Sequence, residues 1–323
     1  MQVLVNEQQV DIQLEDERTL GEVIQGIRNW LQDMNLYITD LSVNHTLHHL
    51  DAEQAWAGRN IEEVDKIEIV ALPPWEVRLN GYRILHNYVA TLADLLEEPA
   101  YQEARELLAE YPYVRRHLSE IITAVLGGAS ENSLDSAVRR AAALVDASPG
   151  GASDEGEAAE SAATDAAQDD AGPGKTTDTL RRIGTVLNTR IRELATPFRE
   201  ARKTEQALRT LMPELEEVSI LLQTGEEQKA MSLIVQFSEL VERLLRVLVA
   251  VDSRYGGTAG APRQASAPLR QLTDSLQSTL EELVAAFNDM DTVLIGDLLE
   301  YDMLPRVEKL LELIPDADSP ESA

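Results

Sequence analysis

The hydrophobic period of this chain changes character at Pro73-Pro74, and that change limits the folds open to it more than any other feature. Before the two prolines, apolar residues alternate in short runs. Met1–Val5 (MQVLV), Val10–Leu14 (VDIQL), Leu36–Val43 (LYITDLSV) and Lys66–Leu72 (KIEIVAL) each suit a half-buried strand. Asn6–Gln9 has the length of a hairpin connection. One helical stretch interrupts the strands, with Thr19 as its N-cap and Leu20, Val23, Ile24, Ile27, Trp30 and Leu31 on one face. From residue 76 onward the apolar spacing is threes and fours. A chain of this kind is α+β by order and mostly helical by mass.

The helical part falls into two regions around an acidic tract. Leu79, Tyr82, Leu85, Val89, Leu92, Leu95 and Leu96 form one face. A second helix is expected from about Tyr101 to Leu126, bent at Pro112 and ended by Gly127-Gly128. A third opens at Ser133 and closes near Val145, so 76–145 reads as a small helical bundle. Residues 146–175 hold eight acids, one Lys and no aliphatic residue larger than Ala. Such a stretch buries too little apolar surface to offset the entropy of ordering, so 146–178 is expected to be a disordered acidic linker. Beyond it, Leu180, Ile183, Leu187, Ile191, Leu194, Phe198, Ala201, Leu208 and Met212 make a seam, with Glu205 its polar step and Pro197 and Pro213 interrupting it. Gly225 suits a helix C-terminus, a dense return helix follows to Val251, and a second hairpin completes a C-terminal bundle over 179–315. An acidic tail, 316–323, ends the sequence. At an offset of 64, Leu208, Phe237 and Leu240 fall on Leu272, Tyr301 and Leu304, which hints at an internal duplication.

The order strand, strand, helix, strand, short turn, strand over residues 1–72 resembles the ubiquitin-like β-grasp superfamily, and the domain is set at 1–75. That resemblance implies a four-stranded sheet wrapped on one helix and a role in protein binding. Members that carry sulfur or act as modifiers use an exposed C-terminal Gly-Gly. Here Val70-Ala71-Leu72-Pro73-Pro74-Trp75 stands instead, so that chemistry is not expected. The phrases Leu221–Ile234 and Asp291–Pro305 are similar to segments of uncharacterised bacterial helical proteins.

Charge and composition narrow the function. Lys and Arg number 28 against 57 Asp and Glu, a formal charge of −29. Neither nucleic acid nor an anionic membrane is therefore expected as a main partner. The chain has no cysteine, which excludes disulfides and thiolate chemistry. The opening residues lack a secretory pattern and no apolar run reaches membrane-spanning length, so a cytoplasmic protein is expected. Gly172-Pro173-Gly174-Lys175-Thr176 looks like a phosphate loop, but Asp169 stands where the pattern needs Gly. His45, His48 and His49 are expected in an exposed loop, where they could hold a metal only weakly. No metal, cofactor or catalytic residue is assigned, and no enzyme activity is expected.

One local feature departs from the acidic background. Residues 180–212 hold eight Lys/Arg and three Glu, a local charge of +5. On one uninterrupted helix, Arg181, Arg192, Arg199, Arg202, Lys203 and Arg209 fall within an arc of about 120°. This stripe is either a solvated face or a docking surface for an acidic partner, the chain's own linker included. The leading expectation is a non-enzymatic adaptor or assembly factor, self-associating through the 180–250 helices. The alternative is a bacterial signalling component that uses His86 or His117 for phosphotransfer or regulatory binding.

Overall fold

A computed structural model describes residues 1–12, 16–98, 100–126, 134–147, 173–255, 267–289 and 291–314. Of the expected linker at 146–178, residues 148–172 lie outside the described residues, and 173–178 are helical; the acidic tail expected at 316–323 also lies outside them. The chain forms two compact units, one of Met1–Val77 with Glu193–Ala323 and the other of Arg78–Arg192.

Residues 1–73 build a mixed five-stranded sheet and one helix. The strands are β1 (Gln2–Val5), β2 (Gln8–Val10), β3 (Tyr37–Val43), β4 (Thr46–His48) and β5 (Lys66–Leu72), in spatial order β2-β1-β5-β3-β4. β1 runs parallel to β5 and every other pairing is antiparallel. Helix α1 (Leu20–Asp33) is started by a capping box: Glu22 N–H donates to Thr19 Oγ1, and the Glu22 carboxylate accepts from the Thr19 N–H. Its Leu20, Val23, Ile24, Ile27 and Leu31 close over Val3, Val5, Leu41, Val43, Ile67 and Ile69 of the sheet. Each fully buried aliphatic side chain contributes about 1.5–3 kcal/mol of transfer free energy, so this interface is the module's main stabilising contact.

Three expectations change here. Trp30 is 43% exposed rather than part of the apolar face. The sheet has five strands, because the stretch expected as a loop contains β4. The second strand begins at Gln8, since the hairpin turn is only Asn6-Glu7. That turn and its counterpart Asn44-His45 share one geometry, with φ of 49° and 66° in each, as a two-residue type I′ turn requires. The two asparagines also bracket β5. Asn6 pairs with the Ala71 backbone through its Oδ1 and Nδ2, both at 2.9 Å. Asn44 Oδ1 accepts from the Asp65 and Lys66 N–H groups at 2.9 and 3.0 Å.

The second unit is helical. α2 (Pro74–Glu97) buries Leu79, Tyr82, Leu85, Val89, Leu92 and Leu96, as the spacing predicts. The single helix expected over 101–126 is three: α3 (Tyr101–Ala109), α4 (Tyr111–His117) and α5 (Ser119–Leu126). Pro112 opens α4, and Leu118 leaves helical geometry at its end. α6 (Leu134–Asp146) is tied to α4 through Asp135, which accepts from Tyr111 Oη at 2.6 Å and Arg115 Nε at 2.7 Å. α7 (Pro173–Ala195) begins five residues before the expected end of the linker.

The helices of the first unit are α8 (Pro197–Leu215), α9 (Val218–Thr224), α10 (Glu227–Tyr255), α11 (Ala267–Asn288), α12 (Thr292–Asp297) and α13 (Leu304–Leu311). A π-helical turn, Leu298–Met303, joins the last two. α8 lies along α10, and Phe237, Val241 and Leu244 sit fully buried in a core with Leu208, Leu276 and Leu310. Gly225 ends α9 in the left-handed conformation, φ 84°, as expected. Pro213 does not start a new helix; it lies in the last turn of α8. The duplication register fails at one of its three positions, because Tyr301 is 67% exposed where Phe237 is fully buried.

Candidate interaction site

The helix assumed to be continuous through Pro197 is broken. Thr196 has φ −133° and ψ 63°, and Pro197 restarts the chain as the first residue of α8. The six cations of the expected stripe therefore fall into two sets. Arg181 and Arg192 lie on α7, and Arg199, Arg202, Lys203 and Arg209 on α8.

On α7, Arg181 is already engaged. Its guanidinium donates to Glu97 at 2.6 and 2.9 Å and to Asp94 at 3.3 Å, and the hydrogen bond from Arg181 holds the Glu97 carboxyl below its usual range. Arg192 donates to Thr189 Oγ1 at 3.3 Å. On α8 the buried side is Phe198, Ala201, Thr204, Leu208, Leu211 and Leu215. Thr204, not Glu205, takes the polar step in the seam; its hydroxyl donates to the Glu200 carbonyl at 2.8 Å. The opposite side presents Arg199, Arg202, Gln206 and Arg209, all exposed and spaced 3, 4 and 3 residues apart, which makes one straight row. Glu205, with a side chain 14% exposed, accepts from Arg202 at 2.9 Å and Arg209 at 3.0 Å. Burial pushes its carboxyl up, but those two hydrogen bonds outweigh burial and leave it lowered.

Beside this row runs a groove of about 500 Å³ between α8 and α10, lined by Lys203, Gln206, Ala207, Thr210, Leu211, Glu214, Gln236 and Leu240. Both walls are helices whose inner faces pack against each other. Lys203 at its end pairs with Glu200 at 2.7 Å.

Sequence reasoning missed what holds α8 in place. Glu193 and Glu200, on either side of the break, are buried to 3% and 1% exposure. Arg243 of α10 pairs with both, and Arg246 reaches Glu193 at 3.2 Å. Burial pushes the Glu200 carboxyl up, yet hydrogen bonds from Lys203 and Arg243 prevail and hold it below the ordinary 4.5. Arg254, on the same face of α10, donates to the carbonyls of Ala195 at 3.1 Å and Leu194 at 3.5 Å. The legible signal was the three arginines Arg243, Arg246 and Arg254 on one face of the return helix.

The histidines do not converge. His45 lies 3.6 Å from Glu68, His48 packs 6.5 Å from the Trp56 ring, and exposed His49 uses its carbonyl to accept from the Trp56 indole at 3.1 Å. Among the described residues no three His, Asp or Glu side chains are grouped to hold a metal ion. His86 is half-buried on α2, and His117 is exposed at the end of α4 against Tyr113. Thr176, the hydroxyl that a phosphate loop would offer, is fully buried in α7. No helix among the described residues is long and apolar enough to cross a membrane.

Comparison with known families divides the chain in two. Residues 1–73 match the TP0873 N-terminal domain, and residues 200–313 match a domain of unknown function, DUF8042. No curated protein and no solved structure matches the chain.

Proposed function

We propose that this is a non-enzymatic adaptor that docks an acidic segment of a partner protein along α8. The row Arg199, Arg202, Gln206 and Arg209 carries the reading. It is straight, exposed and positive within a chain of charge −29, and it borders a groove between two packed helices. The half-buried Glu205 holds two of its arginines in fixed positions, which lowers the entropy lost when a carboxylate partner arrives. Bidentate guanidinium–carboxylate contacts favour such a partner over other polar surfaces. A cytoplasmic setting fits the cysteine-free composition.

The N-terminal module is read as a ubiquitin-like β-grasp domain, on its strand order β2-β1-β5-β3-β4 and its parallel β1–β5 centre. Self-association through the 180–250 helices uses their outer faces, since the seam residues Leu208, Leu211 and Phe237 are buried within the chain. Exposed Met231 and Val235 on α10 are the apolar residues for it.

The reading is tested by placing a photo-cross-linking residue at Gln206 and, as a control, at exposed Ile84 of α2. Adducts at Gln206 that map to Asp/Glu-rich partner segments are expected. Adducts no richer at Gln206 than at Ile84 would overturn it.

A further inference from the structure

Arg254 holds more than the end of α7. Its guanidinium also lies over the Trp75 ring, 4.4 Å from the centroid. Trp75 is the second residue of α2, directly after the prolines that end the sheet module. The two interactions use different atoms of one guanidinium: its carbon lies over the indole, and Nη1 donates to both backbone carbonyls. Those carbonyls need a donor. The break at Thr196 takes the chain off the α7 axis, and Pro197 brings no N–H, so the last carbonyls of α7 lack intrahelical partners. A cation there also complements the negative end of the helix dipole.

The position of these contacts in the chain gives them significance. The polypeptide passes from one compact unit to the other twice, at Val77/Arg78 and at Arg192/Glu193. Trp75 lies two residues before the first crossing, and Leu194 and Ala195 lie just after the second. We propose that Arg254 is a conformational pin, fastening to α10 both segments through which residues 78–192 enter and leave. Trp75 is half-buried, as are Leu194 and Ala195, while Glu193 beside them is held to α10 separately by Arg243 and Arg246. Arg254 is the side chain that touches both, and losing it loosens both together.

Hydrogen–deuterium exchange on the full chain tests this, with Arg254→Gln and Trp75→Leu beside the wild type. With Arg254→Gln, amides at 75–78 and at 194–199 should both exchange faster, by roughly tenfold or more, while β5 and residues 237–244 keep their protection. Trp75→Leu removes the platform but no charge, and should produce the same paired pattern at smaller amplitude. Acceleration at one crossing alone, or at neither, overturns the pin. So does uniform acceleration through α10, which would make Arg254 a general packing residue. The pin stands or falls independently of partner docking, since its readout needs no partner.

Discussion

Removing Arg243 should destabilise the protein more than its half-exposed position on α10 suggests. The side chains of Glu193 and Glu200 are 4% and 2% exposed, and Arg243 is the cation they share. Removing one partner of a buried pair costs about 3–5 kcal/mol, because the other charge is left uncompensated. Here each carboxylate retains a second cation, Arg246 at 3.2 Å for Glu193 and Lys203 at 2.7 Å for Glu200. Arg243 itself is 27% exposed, which screens the pairing further. Together these reduce the expected cost of Arg243→Met to roughly 2–3 kcal/mol. Urea denaturation followed by far-ultraviolet circular dichroism should show the midpoint falling by about 1 M. Adding Glu200→Gln removes one of the two carboxylates left under-compensated and should recover roughly 1–2 kcal/mol of the loss, a coupling that a double-mutant cycle isolates. A single-mutant cost below about 0.5 kcal/mol, with no recovery in the double mutant, would refute the claim that this network fastens α8 to α10.

Three further outcomes follow from the same structure. Glu200 is held below its ordinary 4.5, so the unfolded chain takes up its proton first as pH falls. Its contribution is complete above about pH 4.5 and lost below it, and Glu200→Gln should flatten the acid limb of a stability–pH profile. A Cβ on Gly296 would stand 2.1 Å from Ser219 Oγ, so Gly296→Ala should lower stability by about 1–3 kcal/mol in thermal melts, and Ser219→Ala should restore most of it. His45 adopts φ 66° without being glycine; His45→Gly should stabilise the sheet module by about 1 kcal/mol, whereas Asn44→Ala should cost about as much through the β5 hydrogen bonds it loses.

Local devices were readable in the sequence and distant pairings were not. The Thr19 cap, the α1 face, the α2 stripe and the Gly225 terminus each depend on residues within a few positions of one another. β4 was missed because three residues, Thr46–His48, are too few to establish a period. Asn6 and Asn44, each following a valine at a strand end, were the available sign of two matching turns. The basic stripe was half legible: its α8 members do share an exposed face, but the phase carried across Pro197 assumed a helix that Thr196 breaks. Glu193 and Glu200 looked like ordinary surface acids, since Arg243 and Arg246, which allow their burial, stand 43 and 53 residues away. The pairing of Trp75 with Arg254 spans still more chain and leaves no periodic trace.

The most direct test of docking along α8 is affinity capture from the native cell with the wild-type chain, with Arg199→Glu/Arg202→Glu/Arg209→Glu, and with a charge-reversal control at exposed Arg83 on α2. The account predicts that the triple variant loses, selectively, those partners that bind the wild type through Asp/Glu-rich segments, and that Arg83→Glu keeps them. Equal recovery of the same partners by all three chains would contradict it.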